Sequence, residues 1–250
     1  MKSKILFTTG ILCCGIFLVN LLVGWRDKPE PLASATIAGA AQKGLALLEK
    51  SGYTFSIRAR NNCAGCHHTT LTSMAVEISV QKGFPKVDSF AAHRIAAMER
   101  TLRIACDPNL IDDLITANFA SPYLLLGLAA EKYAPGVYTD MAVDYLMGQA
   151  RADGSFLAES GRVPLESGDI HLTAFAIRAI RLYASTAKQG RVNELTAKSR
   201  QWLEHAHADH HQELVFQLLG MHWCGSERDQ QTRVAEKLLA LQNADGGWSQ

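Results

Sequence analysis

Four stretches of this chain are apolar on every helical face, and they alternate with four that are apolar on one face only. The first set covers residues 71–80, 122–130, 170–183 and 213–223, and the second covers 89–102, 139–150, 193–205 and 230–242. A helix that is hydrophobic all round must be buried among others, whereas an amphipathic one covers a core and shows a wet face. The inner set recurs about every 40 to 50 residues, the period of a helical repeat array. Nothing alternates apolar and polar residues in the manner of a strand. The expected class is therefore all-α, built of repeated helix pairs. A leading helix begins near Ala35, with Ala41, Leu45, Leu47 and Leu48 on one face and Gly52 read as its end.

The repeat is also visible residue by residue. Ala150-Arg151-Ala152-Asp153-Gly154-Ser155-Phe156 aligns without gaps to Gln242-Asn243-Ala244-Asp245-Gly246-Gly247-Trp248, and Leu146 and Met147 then fall on Leu238 and Leu239. Each copy predicts an outer helix that ends in an Asp-Gly turn. The glycine supplies a positive φ, and the aromatic that follows packs back on the helix ends.

Residues 238–248, with Gln242, Asp245, Gly246 and Trp248, resemble the Q-W motif of squalene-hopene cyclases. The body from Ala35 to Gln250 resembles the prenyltransferase and squalene-oxidase repeat superfamily. The run Cys63-Ala64-Gly65-Cys66-His67-His68, the stretch Phe119-Ala120-Ser121-Pro122-Tyr123 and the two Asp-Gly turns are similar to a bacterial subfamily with squalene-cyclase-type repeats. The resemblance implies an α/α toroid, with inner helices forming a barrel inside an outer ring. The helix pairs read here are fewer than a full toroid needs, so the ring is expected to be incomplete at the C-terminus, by truncation of the sequence. The resemblance implies no reaction, because one fold hosts unrelated functions.

Cys63, Cys66 and His67 form the C-x-x-C-H pattern that attaches c-type haem, two thioethers to the porphyrin and one imidazole to the iron. From the chain's 6 Cys and 9 His, such a pattern arises by chance roughly once in two hundred similar sequences. The expectation is haem c held by Cys63 and Cys66, with His67 as the metal ligand. Four alternatives stand beside it: a redox-active disulfide, zinc bound with His67 or His68, another transition metal, and a structural role. Asn61 and Asn62 are expected to cap the helix that starts at the motif. His93, Met98 and His171 are the candidates for a sixth iron ligand, while His68 and Met74 are poorly placed for it. Cys106 and Cys224 are isolated and read as small buried residues.

Lys2 and Lys4 precede an uncharged run over residues 5–24, then Trp25, Arg26 and Asp27. That order is of a secretory signal, and the run is also long enough to span a bilayer. The expected organisation is a signal peptide or membrane anchor over 1–28, a linker over 29–34 and the toroid-repeat domain over 35–250. The anchor reading is favoured over cleavage at Ala33-Ser34-Ala35. The protein is then exported to the periplasmic side of the cytoplasmic membrane, where bacterial c-type haem is attached.

The net charge of +1 and the lack of a basic stripe with interleaved aromatics exclude general nucleic-acid binding. The D-x-D-D acid of class II cyclases is missing, and Asp112-Asp113 reads as a helix cap. The zinc set of the protein prenyltransferases is missing too. Asp169 and His171 could face a central cavity, though a cap and a satisfied polar group are the plainer account. His207 and His211 could hold a metal at i, i+4, though a solvated loop is plainer. These readings lead to an exported, membrane-anchored haem protein for electron transfer or redox sensing, with a redox protein as partner. The alternatives are a terpenoid-cyclase-like or prenyltransferase-like enzyme acting on an apolar isoprenoid ligand, and a non-catalytic scaffold with a structural metal.

Overall fold

The computed structural model describes residues 34–59, 64–85, 89–106, 117–158 and 168–248. Nine α-helices occur among them: α1 (Ser34–Arg58), α2 (Leu71–Gln81), α3 (Ala91–Ala105), α4 (Ala117–Ala130), α5 (Val137–Gln149), α6 (Asp169–Tyr183), α7 (Gln189–His205), α8 (His211–Cys224) and α9 (Arg228–Ala240). A π-type turn, Cys66–Thr70, runs straight into α2. No strand occurs among the described residues. The chain divides into two compact units, residues 1–43 and 44–250. The first contributes only the opening turns of α1 to the described residues, and the account below concerns the second.

The inner layer runs α2, α4, α6, α8, each helix packed on the next. The outer helices cover it in sequence order: α3 lies on α4, α5 on α6, α7 on α8, and α9 on α8. This is the all-α array of helix pairs that the periodicity predicts. The outer helices bury one stripe each. In α3 it is Arg94, Ala97, Met98, Thr101, Leu102 and Ala105, the i, i+3, i+4 spacing of a single face. In α7 it is Val192, Leu195, Ser199 and Leu203. Inner helix α4, by contrast, is buried at every position from Phe119 to Leu128, since it has neighbours on all sides. A fully buried Leu or Phe there contributes about 1.5–3 kcal/mol. Close approach needs a small residue: a Cβ on Gly127 would meet Met98 Sδ at 2.4 Å and Thr70 Cα at 3.1 Å.

The two Asp-Gly turns have one geometry. Arg151 N–H donates to Ser155 O at 2.9 Å, and Asn243 N–H donates to Gly247 O at 2.8 Å. Gly154 and Gly246 have φ of 85° and 86°. Asp153 Oδ1 accepts the Ser155 N–H and Asp245 Oδ1 accepts the Gly247 N–H, at 3.0 and 2.9 Å. Their surroundings differ. The first turn is docked: Ser199 of α7 donates its hydroxyl to Gly154 O, and the Phe156 N–H donates to Thr173 Oγ1 of α6. The second is exposed, and Trp248 reaches back only to the Leu238 carbonyl.

Three expectations are corrected by the described residues. Gly52 does not end α1, which continues to Arg58. Gly52 is buried, and a Cβ there would meet the His68 carbonyl oxygen at 2.7 Å, so it is a contact glycine and not a cap. Pro122 does not open α4 but lies within it, after Ala117. The expected membrane anchor, with its exported and periplasmic placement, is also corrected. No helix among the described residues is long and apolar enough to cross a membrane, and the longest, α1, carries Lys43, Glu49, Lys50 and Arg58. Residues 1–28, on which that expectation was placed, lie outside the described residues, as do Asn61, Asn62, Asp112 and Asp113.

Candidate functional site

From Gly44 onward α1 has two working faces. Leu45, Glu49, Gly52 and Ser56 are buried, and they follow the i, i+4, i+7, i+11 spacing of one side of a helix. Leu47, Lys50, Ser51, Thr54, Phe55 and Arg58 lie on the other side. Together with Ala59 and His68 they line an open cleft of about 580 Å³, within the range of small-molecule sites.

The buried face holds α1 in place. Arg94 of α3 donates through Nη1 to Glu49 Oε1 at 3.1 Å and through Nε to Glu131 Oε1 at 2.8 Å, while Ser73 of α2 donates to the same Glu131 oxygen at 2.8 Å. One buried guanidinium thus ties α1, α2, α3 and the end of α4. Tyr53 stacks on Phe90 with centroids 4.3 Å apart, and Ser56 is hydrogen-bonded to His93.

On the far wall stands the motif segment. Ala64 N–H donates to Thr101 Oγ1 at 3.1 Å, and the Thr70 hydroxyl donates to the Tyr123 carbonyl at 2.8 Å. These bonds sink the backbone of residues 64–70 into the array, with Ala64, Gly65, Thr69 and Thr70 buried. The His68 ring lies parallel to Phe55, centroids 4.3 Å apart and planes at 3°, and it tilts against His67 at 4.2 Å. A Cβ on Gly65 would strike the Phe55 ring, so Phe55 covers the loop between the two cysteines of the motif. Burial, and then the neighbouring His67, lower the His68 pKa and keep it neutral at neutral pH. Its buried Nδ1 has no hydrogen-bond partner among the described residues. Lys50 and Arg58 make no ion pair among the described residues. The cleft therefore combines an apolar and aromatic wall, the two cations and the hydroxyls of Ser51 and Thr54.

This arrangement overturns the metal and haem expectations. Among the described residues no group of three or more His, Cys, Asp or Glu side chains could hold a metal ion. The ring beside the motif loop is Phe55, packed against Gly65 and parallel to His68. The proposed sixth ligands are committed elsewhere: His93 to Ser56 and Tyr53, Met98 to Thr70, and His171 to Tyr123. Haem c, and zinc as its alternative, are accordingly corrected as cofactors. Electron transfer, redox sensing and the redox partner fall with them. His207 and His211 do not converge on a metal either, since exposed His207 pairs with Asp209 at 2.9 Å and His211 opens α8. Cys63 lies outside the described residues.

Asp169 and His171 diverge. Asp169 Oδ1 accepts the Ala158 N–H at 2.9 Å and lies near Arg151, fastening the first Asp-Gly turn to α6. His171 is buried 2.8 Å from the Tyr123 hydroxyl, stacked on Phe216 at 4.1 Å and edged by Phe119 and Phe175. Burial pushes its pKa down to about 4, so it is a neutral core histidine. Sequence reasoning missed Lys50, Phe55 and Arg58. Their signal was the second i, i+4 stripe on α1, hidden by ending that helix at Gly52.

No protein family, no curated protein and no solved structure matches the chain.

Proposed function

We propose that the protein binds an apolar molecule with an anionic head, of the isoprenoid diphosphate class, in the cleft between α1 and His68. One observation carries this reading: Leu47, Phe55 and His68 form an apolar and aromatic wall flanked by Lys50 and Arg58, neither of them in an ion pair among the described residues. Lys50 and Arg58 are eight residues apart, about 12 Å along the helix axis, so their long side chains bracket Ser51 and Thr54, whose hydroxyls add donors for a head group. Polyprenyl chains suit a groove with one aromatic wall, since their dispersion contacts need no directional partner.

The resemblance to squalene-cyclase and prenyltransferase repeats points to the same ligand class. On this reading residues 35–250 are one α/α-toroid repeat domain, and Cys63, Cys66 and His67 belong to the site by adjoining His68 in sequence. The activity proposed is binding. No residue is assigned a catalytic step, because the cyclase acid is missing from the sequence and His171 is locked in the core.

Calorimetric titration with farnesyl diphosphate, farnesol and inorganic diphosphate tests the proposal. The intact amphiphile is expected to bind at least about tenfold more tightly than either fragment, because both halves of the cleft are then used. Equal affinity for farnesol and farnesyl diphosphate would remove the role of the cations, and no binding of any of the three would end the proposal.

A further inference from the structure

Helix α6 is buried at every position from Ile170 to Ile180 except Arg178. This guanidinium lies 5.7 Å from the ring centroid of Trp223 on α8, a cation–π contact. No carboxylate among the described residues is within ion-pair distance of it, and Glu77 of α2 acts on it only at longer range. Arg181, nearly one turn on, adds a second positive charge at the same end of α6. Burial and then Arg181 lower the Arg178 pKa, the mark of a cation held without adequate compensation. Arg200 and Glu204 of α7 lie close enough to act, with Arg181, on the thiol of Cys224, the two arginines lowering its pKa and the carboxylate raising it.

An unpaired guanidinium on a core helix is partly desolvated, a cost that its contact with Trp223 offsets only in part. Over an indole face, however, a guanidinium has N–H donors left for a ligand, and its fork matches two oxygens of a carboxylate or phosphate. We infer that Arg178, Arg181 and Trp223 form an oxyanion-binding site that takes a carboxylate or a phosphate group. None of these residues lines the α1 cleft, so this site stands whether or not the cleft binds an isoprenoid.

The test is calorimetric titration of the full chain at low salt with inorganic diphosphate and, separately, with benzoate. Trp223 emission is followed in a Trp25→Phe, Trp202→Phe, Trp248→Phe background to locate the event. Saturable binding that changes Trp223 emission is expected with at least one probe, benzoate alone marking a carboxylate ligand and diphosphate alone a phosphate. Arg178→Met is expected to weaken binding at least about tenfold. Arg178→Lys keeps the charge but lacks the fork, and is expected to weaken it by about threefold or more. Lys50→Glu with Arg58→Glu should leave the Trp223 response unchanged. The inference is overturned if neither probe saturates by about 10 mM, if Arg178→Lys binds like the parent, or if the Lys50→Glu, Arg58→Glu variant loses the signal.

Discussion

Replacing Arg94 with methionine should release α1 from the array. Arg94, Glu49 and Glu131 have side chains only 2%, 3% and 6% exposed. The guanidinium carries the contacts at 2.7 to 3.1 Å that join them. Arg94→Met keeps the aliphatic bulk but leaves two carboxylates buried without their cation, a change that costs about 3–5 kcal/mol. In a chain of 250 residues, each kcal/mol shifts Tm by about 2–4 °C, so a fall of about 10 °C is expected. Urea unfolding followed by far-UV circular dichroism measures the loss. Hydrogen exchange locates it: protection should drop over residues 44–58 while α6 and α8 stay protected. Adding Glu49→Gln and Glu131→Gln to Arg94→Met should recover part of the stability, because no charge is then left orphaned. A cost below about 1 kcal/mol, the value of an exposed pair, would refute the reasoning.

Other consequences follow from the core and the turns. The unfolded state takes up a proton on His171 as pH falls through about 6.5, while the folded state resists until about 4. Stability is therefore complete above the unfolded pKa and is lost as pH falls through that window, by about 3 kcal/mol in all; denaturant midpoints against pH should flatten there in His171→Phe. Gly154→Ala and Gly246→Ala pay the same backbone strain, at φ of 85° and 86°. Only the first would drive a Cβ to within 2.5 Å of Ser199 N, so it should lose about 1–3 kcal/mol more in thermal melts. Phe55→Ala should weaken farnesyl diphosphate binding about tenfold or more by calorimetry, since it removes the ring that holds His68 parallel to it.

The helix pairs were legible because burial on all sides and burial on one side leave different periodicities. The contrast between α4 and α7 is written in their residue order. The Asp-Gly turns were legible because both copies keep the residues that make the bend, Asp153 and Gly154 against Asp245 and Gly246. The site was not, for physical reasons of two kinds. Glu49, Arg94 and Glu131 are 45 and 37 residues apart, and no local pattern announces that three charges will share one buried pin. Gly52 and Phe55 acquire their roles from what they touch: the His68 carbonyl excludes a side chain at the glycine, and Phe55 occupies the loop of the cysteine motif. A C-x-x-C-H pattern states which residues could reach a haem but not whether there is room for one. Here the Phe55 ring lies against Gly65 of the pattern, and the imidazoles of His67 and His68 lean on each other.

The central claim is the place and class of the ligand, and photolabelling addresses both together. A benzophenone-bearing prenyl diphosphate, irradiated on the intact protein and mapped by peptide mass spectrometry, should label residues 47–68, with adducts at or beside Phe55 and His68. Excess farnesyl diphosphate should suppress the labelling, and Lys50→Glu with Arg58→Glu should abolish it. Labelling confined to α6 and α8, or unaffected by the two charge reversals, would contradict the account.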